Sequence, residues 1–247
     1  MIYQRNYVNG LAINNIHNTV QLDDKVQIKK SLADQIQEEI KNRIMNLEIQ
    51  QGDKIDVPEL EEEFGVSRAP IRDALQSLAD QGLVKVKPRV GYFAIELTAG
   101  QIKDICEMRK VLEEFALTKS IFNIPKPEVE KIREETLRLK ENNIPQNQLR
   151  DEFDKTDEEL HRKIIVKANN EFLVDFTERI HTLIGLTRHL NDRIDVAIEE
   201  HLEILDAMLV EDLERARRQL SNHLEQVERE VLEDNLKRAE PRNSWGW

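Results

Sequence analysis

The sequence predicts a mainly α protein: three helices and a small β-hairpin, followed by an all-helical bundle of about six helices. Three observations carry this. From Ser31 onward, apolar residues recur three or four apart over most of the chain, the period of a helix with one buried face. Glycine is scarce, 8 of 247 residues, which argues against an all-β fold and against a Gly-rich phosphate loop. The β-prone pieces are two short apolar runs between residues 83 and 95.

Residues 1–27 are Asn-rich and aperiodic and read as a flexible arm. Ser31 with Asp34 three residues later resembles a capping box, and Leu32, Ile36, Ile40 and Ile44 form the apolar stripe of a first helical unit that ends at Gly52. A short second helix fits Pro58 to Phe64, with the proline in its first turn and Gly65 as the turn after it. Ser67 is placed to cap a third helix running to about Gln81, which Gly82 stops. Leu83 to Val86 and Tyr92 to Ile95 are the strands, joined by Lys87-Pro88-Arg89-Val90-Gly91. After Thr98 the pattern gives helices at 98–122, 126–142, 148–168, 171–190, 193–210 and 212–238, punctuated by Pro125, Pro127, Pro145 and Asn pairs. The expected organisation is therefore an arm (1–27), a first domain (28–97), a helical domain (98–238) and a disordered tail (239–247).

Three helices followed by a hairpin is the order of a winged helix-turn-helix, in which the third helix enters the major groove of DNA and the wing lies along the backbone. Ile71, Ala74, Leu75 and Leu78 share one face of the third helix, and Arg68, Arg72 and Gln76 share the opposite one. Arginine suits bidentate contact with guanine or phosphate, and the helix start near Ser67 offers backbone N–H groups to a phosphate. The wing adds Lys85, Lys87 and Arg89, with Gly91 permitting close approach. The chain carries −12 overall, which on its face argues against nucleic acid. Residues 66–92, however, carry net +3, while residues 98–247 carry −9.

The run Phe64-Gly65-Val66-Ser67-Arg68-Ala69-Pro70-Ile71-Arg72-Asp73-Ala74-Leu75, with Leu78, Gly82-Leu83-Val84 and Gly91-Tyr92-Phe93, closely resembles the reading head of the GntR family of bacterial transcription regulators. The resemblance implies DNA contact by Ser67, Arg68, Arg72 and the wing around Arg89 and Gly91. Many relatives carry an Arg early in the second helix; here Pro58 and the acidic run Glu59 to Glu63 stand there.

In the helical domain, polar residues break the apolar stripes. Phe153, Asp157, Leu160, His161, Ile164 and Ala168 form one stripe, with Asp157 and His161 at i and i+4 on one face. The next two stripes are Ile194, Ala197, Ile198, His201, Leu205, Met208 and Leu213, Ala216, Leu220, His223, Leu224, Val227. If these two helices pair antiparallel about Asp212, His201 and His223 are each 11 residues from the turn and so lie level. One carboxylate and three imidazoles then converge, a set that suits a divalent cation such as Zn²⁺ or Ni²⁺. His17, His181 and His189 do not fit the stripes and read as ordinary histidines. Arg109 falls on the stripe Ile102, Ile105, Arg109, Leu112, Ala116 and needs an anion, either an effector carboxylate or an internal glutamate. Arg188 borders another stripe as a lesser candidate.

From Thr98 to about Leu236 the chain is similar to the FCD ligand-binding domain of the FadR subfamily, in which an Asp-x-x-x-His pair and two later histidines, the last followed by Leu as in His223-Leu224, hold a metal. The resemblance implies a homodimer and a small organic acid that completes the metal's coordination. It also points to Asn170 near the effector cavity, where a helix-cap role fits equally. Leu160 stands before His161 where many relatives have Phe.

The expected function is a DNA-binding regulator, a repressor, on a pseudo-palindromic operator, with effector control. A sensor in which the ion itself is the signal, and a purely structural ion, are the alternatives. A hydrolase is disfavoured, because four protein ligands fill the site and no separate acid/base motif is visible. One cysteine, Cys106, excludes an internal disulfide. The lack of a signal peptide or an apolar membrane run leads to the expectation of a cytoplasmic protein.

Overall fold

The computed structural model describes residues 31–141, 144–186 and 193–239. The predicted arm, the tail from residue 240 on, Arg188 and two of the ordinary histidines (His17 and His189) lie outside the described residues.

The elements follow in the order α1 (Leu32–Met45), β1 (Lys54–Ile55), α2 (Val57–Phe64), α3 (Arg68–Asp80), β2 (Val84–Lys87), β3 (Gly91–Ala94), α4 (Ala99–Ser120), α5 (Lys126–Lys140), α6 (Gln146–Val166), α7 (Glu171–Gly185), α8 (Ile194–Leu209) and α9 (Leu213–Ala239). The fold is mainly α. α1 starts on the Ser31/Asp34 capping box, in which the Ser31 hydroxyl accepts from the Asp34 N–H and Asp34 accepts from the Ser31 N–H. α4 starts on a second box, Thr98/Gln101. Gly65 ends α2 at φ 63°, a left-handed position that glycine adopts without Cβ strain.

Two expectations need correction. The sheet is not a lone hairpin: β1 pairs antiparallel with β3, giving the order β1-β3-β2 with Ile55 opposite Tyr92. A two-residue strand is too short to display alternation in sequence, although Ile55 is buried. The first helix ends at Met45 rather than near Gly52, because Asn46 caps it and Leu47 turns to φ 59°. Gly52, at φ 84°, instead sits just before β1, where its N–H donates to the Ala94 carbonyl.

Ile36, Ile40 and Ile44 of α1 pack on Ile71, Ala74, Leu75 and Leu78 of α3, with Ile55, Leu83, Val84 and Ala94 from the sheet. This core continues into the helical bundle through Ile102 and Cys106 of α4, Ile184 and Leu186 at the end of α7, and Val231 of α9. A second core lies deeper in the bundle, where Ala116 and Leu117 of α4 meet Leu160 and Ile164 of α6, Leu205 of α8 and Leu220 of α9. α4 therefore contributes to both. Among the described residues, no helix is long and apolar enough to cross a membrane.

Leu75 has no solvent exposure at the centre of the α1–α3 contact. Leu75→Ala is expected to lower unfolding free energy by ~2–5 kcal/mol, read from the urea midpoint at unchanged slope.

Candidate metal centre and DNA-reading surface

α6, α8 and α9 bring Asp157, His161, His201 and His223 together, with one potential ligand atom from each lying within 4.8 Å of the others. The three histidines are at most 1% exposed. His201 Nε2 and His223 Nε2 face each other at 3.3 Å, and Asp157 Oδ1 is 3.5 Å from both His161 Nε2 and His201 Nε2. The His201 ring lies parallel to Phe153, centroids 5.6 Å apart, which fixes its plane. α8 and α9 do pair antiparallel, so the level placement of His201 and His223 follows from their equal distance from the turn.

Two glutamates that the stripes did not reveal hold the outer nitrogens. Glu113 Oε2 is 2.5 Å from His161 Nδ1, and Glu200 Oε2 is 2.8 Å from His223 Nδ1. Each carboxylate thus places the ring proton on Nδ1 and turns Nε2, with its lone pair, inward. Glu113 is wholly buried on α4 and also accepts from Arg109 Nε at 2.6 Å; Glu200 also accepts from Arg193 at 2.7 Å. The signal in sequence was the pairing itself, because an inward Arg109 with an acidic residue at i+4 implies an internal partner. His181, assigned no role from sequence, has Nε2 3.3 Å from Glu113 Oε1.

The donor set fits a divalent cation. His161 Nε2, the nitrogen that faces the cluster, is buried without a hydrogen-bond partner. Two imidazole nitrogens face each other with one proton at most between them. Bonds of ~2.1 Å require ligand atoms within ~4.2 Å of one another, so the cluster needs only a small contraction. Asp157, His161, His201 and His223 would hold the ion.

Electrostatics divide the histidines. Burial, with His223 beside it, pushes His201 well below its ordinary pKa, and burial lowers His223 despite Glu200. Burial also opposes charge on His161, but Glu113 outweighs it and the pKa is raised. Burial would push the Glu113 carboxyl up, yet Arg109 and His161 hold it well below the usual carboxylate range.

A small hollow of about 50 Å³ adjoins the cluster, with Arg109, Arg150 and Arg193 among its lining residues beside Asp157 and His223. Arg109 is thus at once paired with Glu113 and part of the hollow's wall. Asn170 is not at this hollow: it caps α7, accepting from the Leu173 N–H, and borders a shallow groove with Phe115 and Phe172.

On the first domain, Arg68, Arg72 and Gln76 are exposed on one face of α3, with Gln76 donating to Asp80. Ser67 stands at the start of α3 but its hydroxyl makes no capping bond, unlike Ser31, Asp56, Thr98 and Asn170 at their helices. Lys87 and Arg89 are exposed on the wing; Lys87 Nζ sits 3.9 Å from the Phe93 ring centroid, and Gly91 takes φ 137°.

A winged reading head on a helical bundle with a buried His/Asp cluster is the build of a bacterial transcriptional regulator. The family description "Bacterial regulatory proteins, gntR family" matches residues 32–93, and "FCD domain" matches residues 104–226, together about three-quarters of the chain. The chain belongs to the GntR family, regulators and not enzymes, which bind DNA operators, and it carries an FCD domain. It is 28% identical over 196 residues to the HTH-type transcriptional regulator YdhC of Bacillus subtilis, 76% of this chain and 86% of that one. It is 23% identical over 201 residues to the HTH-type transcriptional repressor RspR of Escherichia coli, 80% and 87% of the two chains. Among solved structures, the metal-free FCD domain of TM0439 is similar with TM-score 0.53 and 29% identity, covering 57% of this chain and 99% of that one; the same domain has also been solved with Zn²⁺ bound.

Metal binding needs three proton-free ring nitrogens. With His201 and His223 depressed below 6.5 and His161 raised above it, His161 is the histidine ligand with a proton to lose above that pH. Zn²⁺ affinity is expected to rise about tenfold per pH unit from 6.5 to the raised His161 value and then level off. Chelator competition across this range checks it, and a slope of two or three protons contradicts it. Folding of the metal-free chain falls in the same direction at His201, in a lower pH range: its contribution to stability is present above pH 6.5 and is lost as pH falls below it.

Proposed function

We propose that this protein is a cytoplasmic, homodimeric repressor whose operator binding is controlled by a small organic acid bound at a divalent-metal site, Zn²⁺ or Ni²⁺, in the helical domain. The observation that carries this reading is the four-residue cluster with its arginine-lined hollow. Asp157, His161, His201 and His223 supply the ligands. Arg109 is the first candidate for an effector carboxylate, since an anion in the hollow would meet its guanidinium; Arg188 is a lesser candidate, and Asn170, which caps α7 away from the hollow, is not one. The repressor assignment draws on the likeness to RspR, and the metal on the likeness to the FCD domain of TM0439.

On the DNA side, Arg68, Arg72 and Gln76 would read base edges or phosphates from α3. Ser67 would offer its hydroxyl and the helix N-terminus to a phosphate, and Lys87, Arg89 and Gly91 would follow the backbone from the wing. Two heads on a two-fold axis would match a pseudo-palindrome with half-sites about one helical turn apart.

An apolar surface supports the dimer. Met108, Val111 and Phe115 stand exposed along α4 and Phe172 and Phe176 along α7, with Phe122 just past the end of α4. Phe115 and Phe172 border the same groove. Four of the chain's seven phenylalanines thus face solvent on neighbouring elements, an arrangement that marks an association surface.

Gel-shift titration on genomic fragments tests the core of the reading; no specific binding to any fragment, with or without metal, ends it. Arg72→Ala is expected to weaken specific binding by ~1–3 kcal/mol. A thermal-shift screen of organic acids on Zn²⁺-loaded protein should give hits that Asp157→Ala abolishes. DNA affinity that follows Zn²⁺ and ignores every acid would favour the ion as signal. Phe115→Glu with Phe172→Glu is expected to convert a dimer to monomer in light scattering while leaving helix content unchanged.

A further inference from the structure

Glu113 and Glu200 look alike from the metal cluster, each holding the Nδ1 of one histidine and each paired with an arginine of the hollow. They differ in what lies behind them. Glu200 is part-exposed on α8, and its further partner is Arg193 at the start of the same helix. Glu113 is fully enclosed, and its Oε1 lies 3.3 Å from His181 Nε2 on α7.

α7 is one of three bundle helices, with α4 and α9, that pack into the core of the first domain. Its end delivers Ile184 and Leu186 into the core formed by α1, α3 and the sheet. Gln51 donates to the Leu186 carbonyl at 3.5 Å, the Met45 side chain lies against Gly185, and the Arg179 guanidinium lies against Gly82 just past the end of α3. His181 sits one turn before this contact and lines the groove of about 670 Å³ between α1 and α3 on one side and α6 and α7 on the other.

We propose that Glu113 is a positioning residue that couples the metal centre to the reading head: one carboxylate oxygen fixes His161 for the ion, and the other, which accepts from Arg109 Nε, lies 3.3 Å from His181 Nε2 of α7, whereas Glu200 meets His223 alone among the histidines. This rests on the metal reading above. An ion held by His161 Nε2 would make the Nδ1 proton a stronger donor and would draw the Glu113 carboxylate toward His161. The same carboxylate then holds His181 differently, and α7 carries that change to the surface under α3. A carboxylate shared between a ligand and a second helix gives the ion differential contact with two placements of α7, which coupling between sites requires.

The experiment uses full-length protein, with Zn²⁺ competition against a chromogenic chelator, Co²⁺ visible spectra, and amide exchange of residues 171–186 with and without Zn²⁺. Glu113→Gln and Glu200→Gln are both expected to weaken Zn²⁺ binding about 10–100-fold and to alter the Co²⁺ bands. At saturating Zn²⁺, wild type and Glu200→Gln should show metal-dependent slowing of exchange in α7, and Glu113→Gln should not. His181→Phe should bind Zn²⁺ within a few-fold of wild type yet lose the α7 response. Should Glu113→Gln fail to fold because Arg109 is left unpaired, Arg109→Met with Glu113→Gln removes the buried pair together and takes its place. Wild-type affinity and Co²⁺ bands in the Glu113 variant, or a retained α7 response in His181→Phe, overturns the proposal. If His161→Ala and His201→Ala bind Zn²⁺ as tightly as wild type, the metal reading itself fails, a result distinguishable from either.

Discussion

The arrangement on which the rest depends is the buried contact between Glu113 and His161. A carboxylate with no solvent exposure is costly unless its charge is answered, and here Arg109, His161 and His181 all converge on it. Those partners come from α4, α6 and α7, so satisfying one charge fixes three helices relative to one another. Arg109 cannot leave without stranding Glu113, and Glu113 cannot leave without freeing the His161 ring. The Asp/His cluster inherits its geometry from this network, because the Nε2 of His161 faces Asp157 and the other two rings while Nδ1 is held from behind.

The same helices carry the reading head. α4 begins in the first core with Ile102 and Cys106 and ends in the second with Ala116 and Leu117, so one 22-residue helix spans both. Cys106 is inert in this setting: burial pushes its thiol up to about 11, and it serves as a small apolar side chain. α7 leaves the histidine cluster at His181 and reaches the α1–α3 core with Ile184 and Leu186. The first domain's apolar face is therefore completed by residues of the bundle. The two halves share packing as well as sequence, and a displacement of α7 has somewhere to go.

Much of this was legible in sequence. Asp157 and His161 at i and i+4 share a helix face, and His201 and His223, equidistant from a turn, lie level once their helices pair antiparallel; the resemblance to the FCD domain joined the two pairs, and the structure brings the four together. The α3 faces were equally plain, because a period of 3.6 separates Ile71, Ala74, Leu75 and Leu78 from Arg68, Arg72 and Gln76. What the α4 stripe missed was Glu113. Ile102, Arg109 and Ala116 are buried as read, and Ile105 and Leu112 pack partly buried against the two cores, but the buried face also takes in Cys106 and Glu113, and Glu113 looks like one member of an acidic pair with Glu114. Buried polar residues defeat periodicity in this way, since hydropathy marks as outward what a charge network holds inward. β1 escaped for a different reason: its pairing with β3 is a tertiary event that two residues do not announce.

The charge distribution gives the last step. A chain of net charge −12 repels a polyanion at long range, yet the stretch from Val66 to Tyr92 is positive and its arginines are exposed. Screening over roughly 8–10 Å at physiological salt separates the two effects: charges farther than that from a docked backbone are largely screened, whereas the exposed cations of α3 and the wing meet it directly. General acidity then suppresses weak association with arbitrary DNA more than it weakens a docked complex, in which positive side chains meet phosphates directly. A small basic patch on an acidic body thus favours discrimination over affinity. In the proposed dimer, modest changes in how two heads are presented would suffice to switch binding, which is the scale of movement that a helix beside one shared carboxylate would supply.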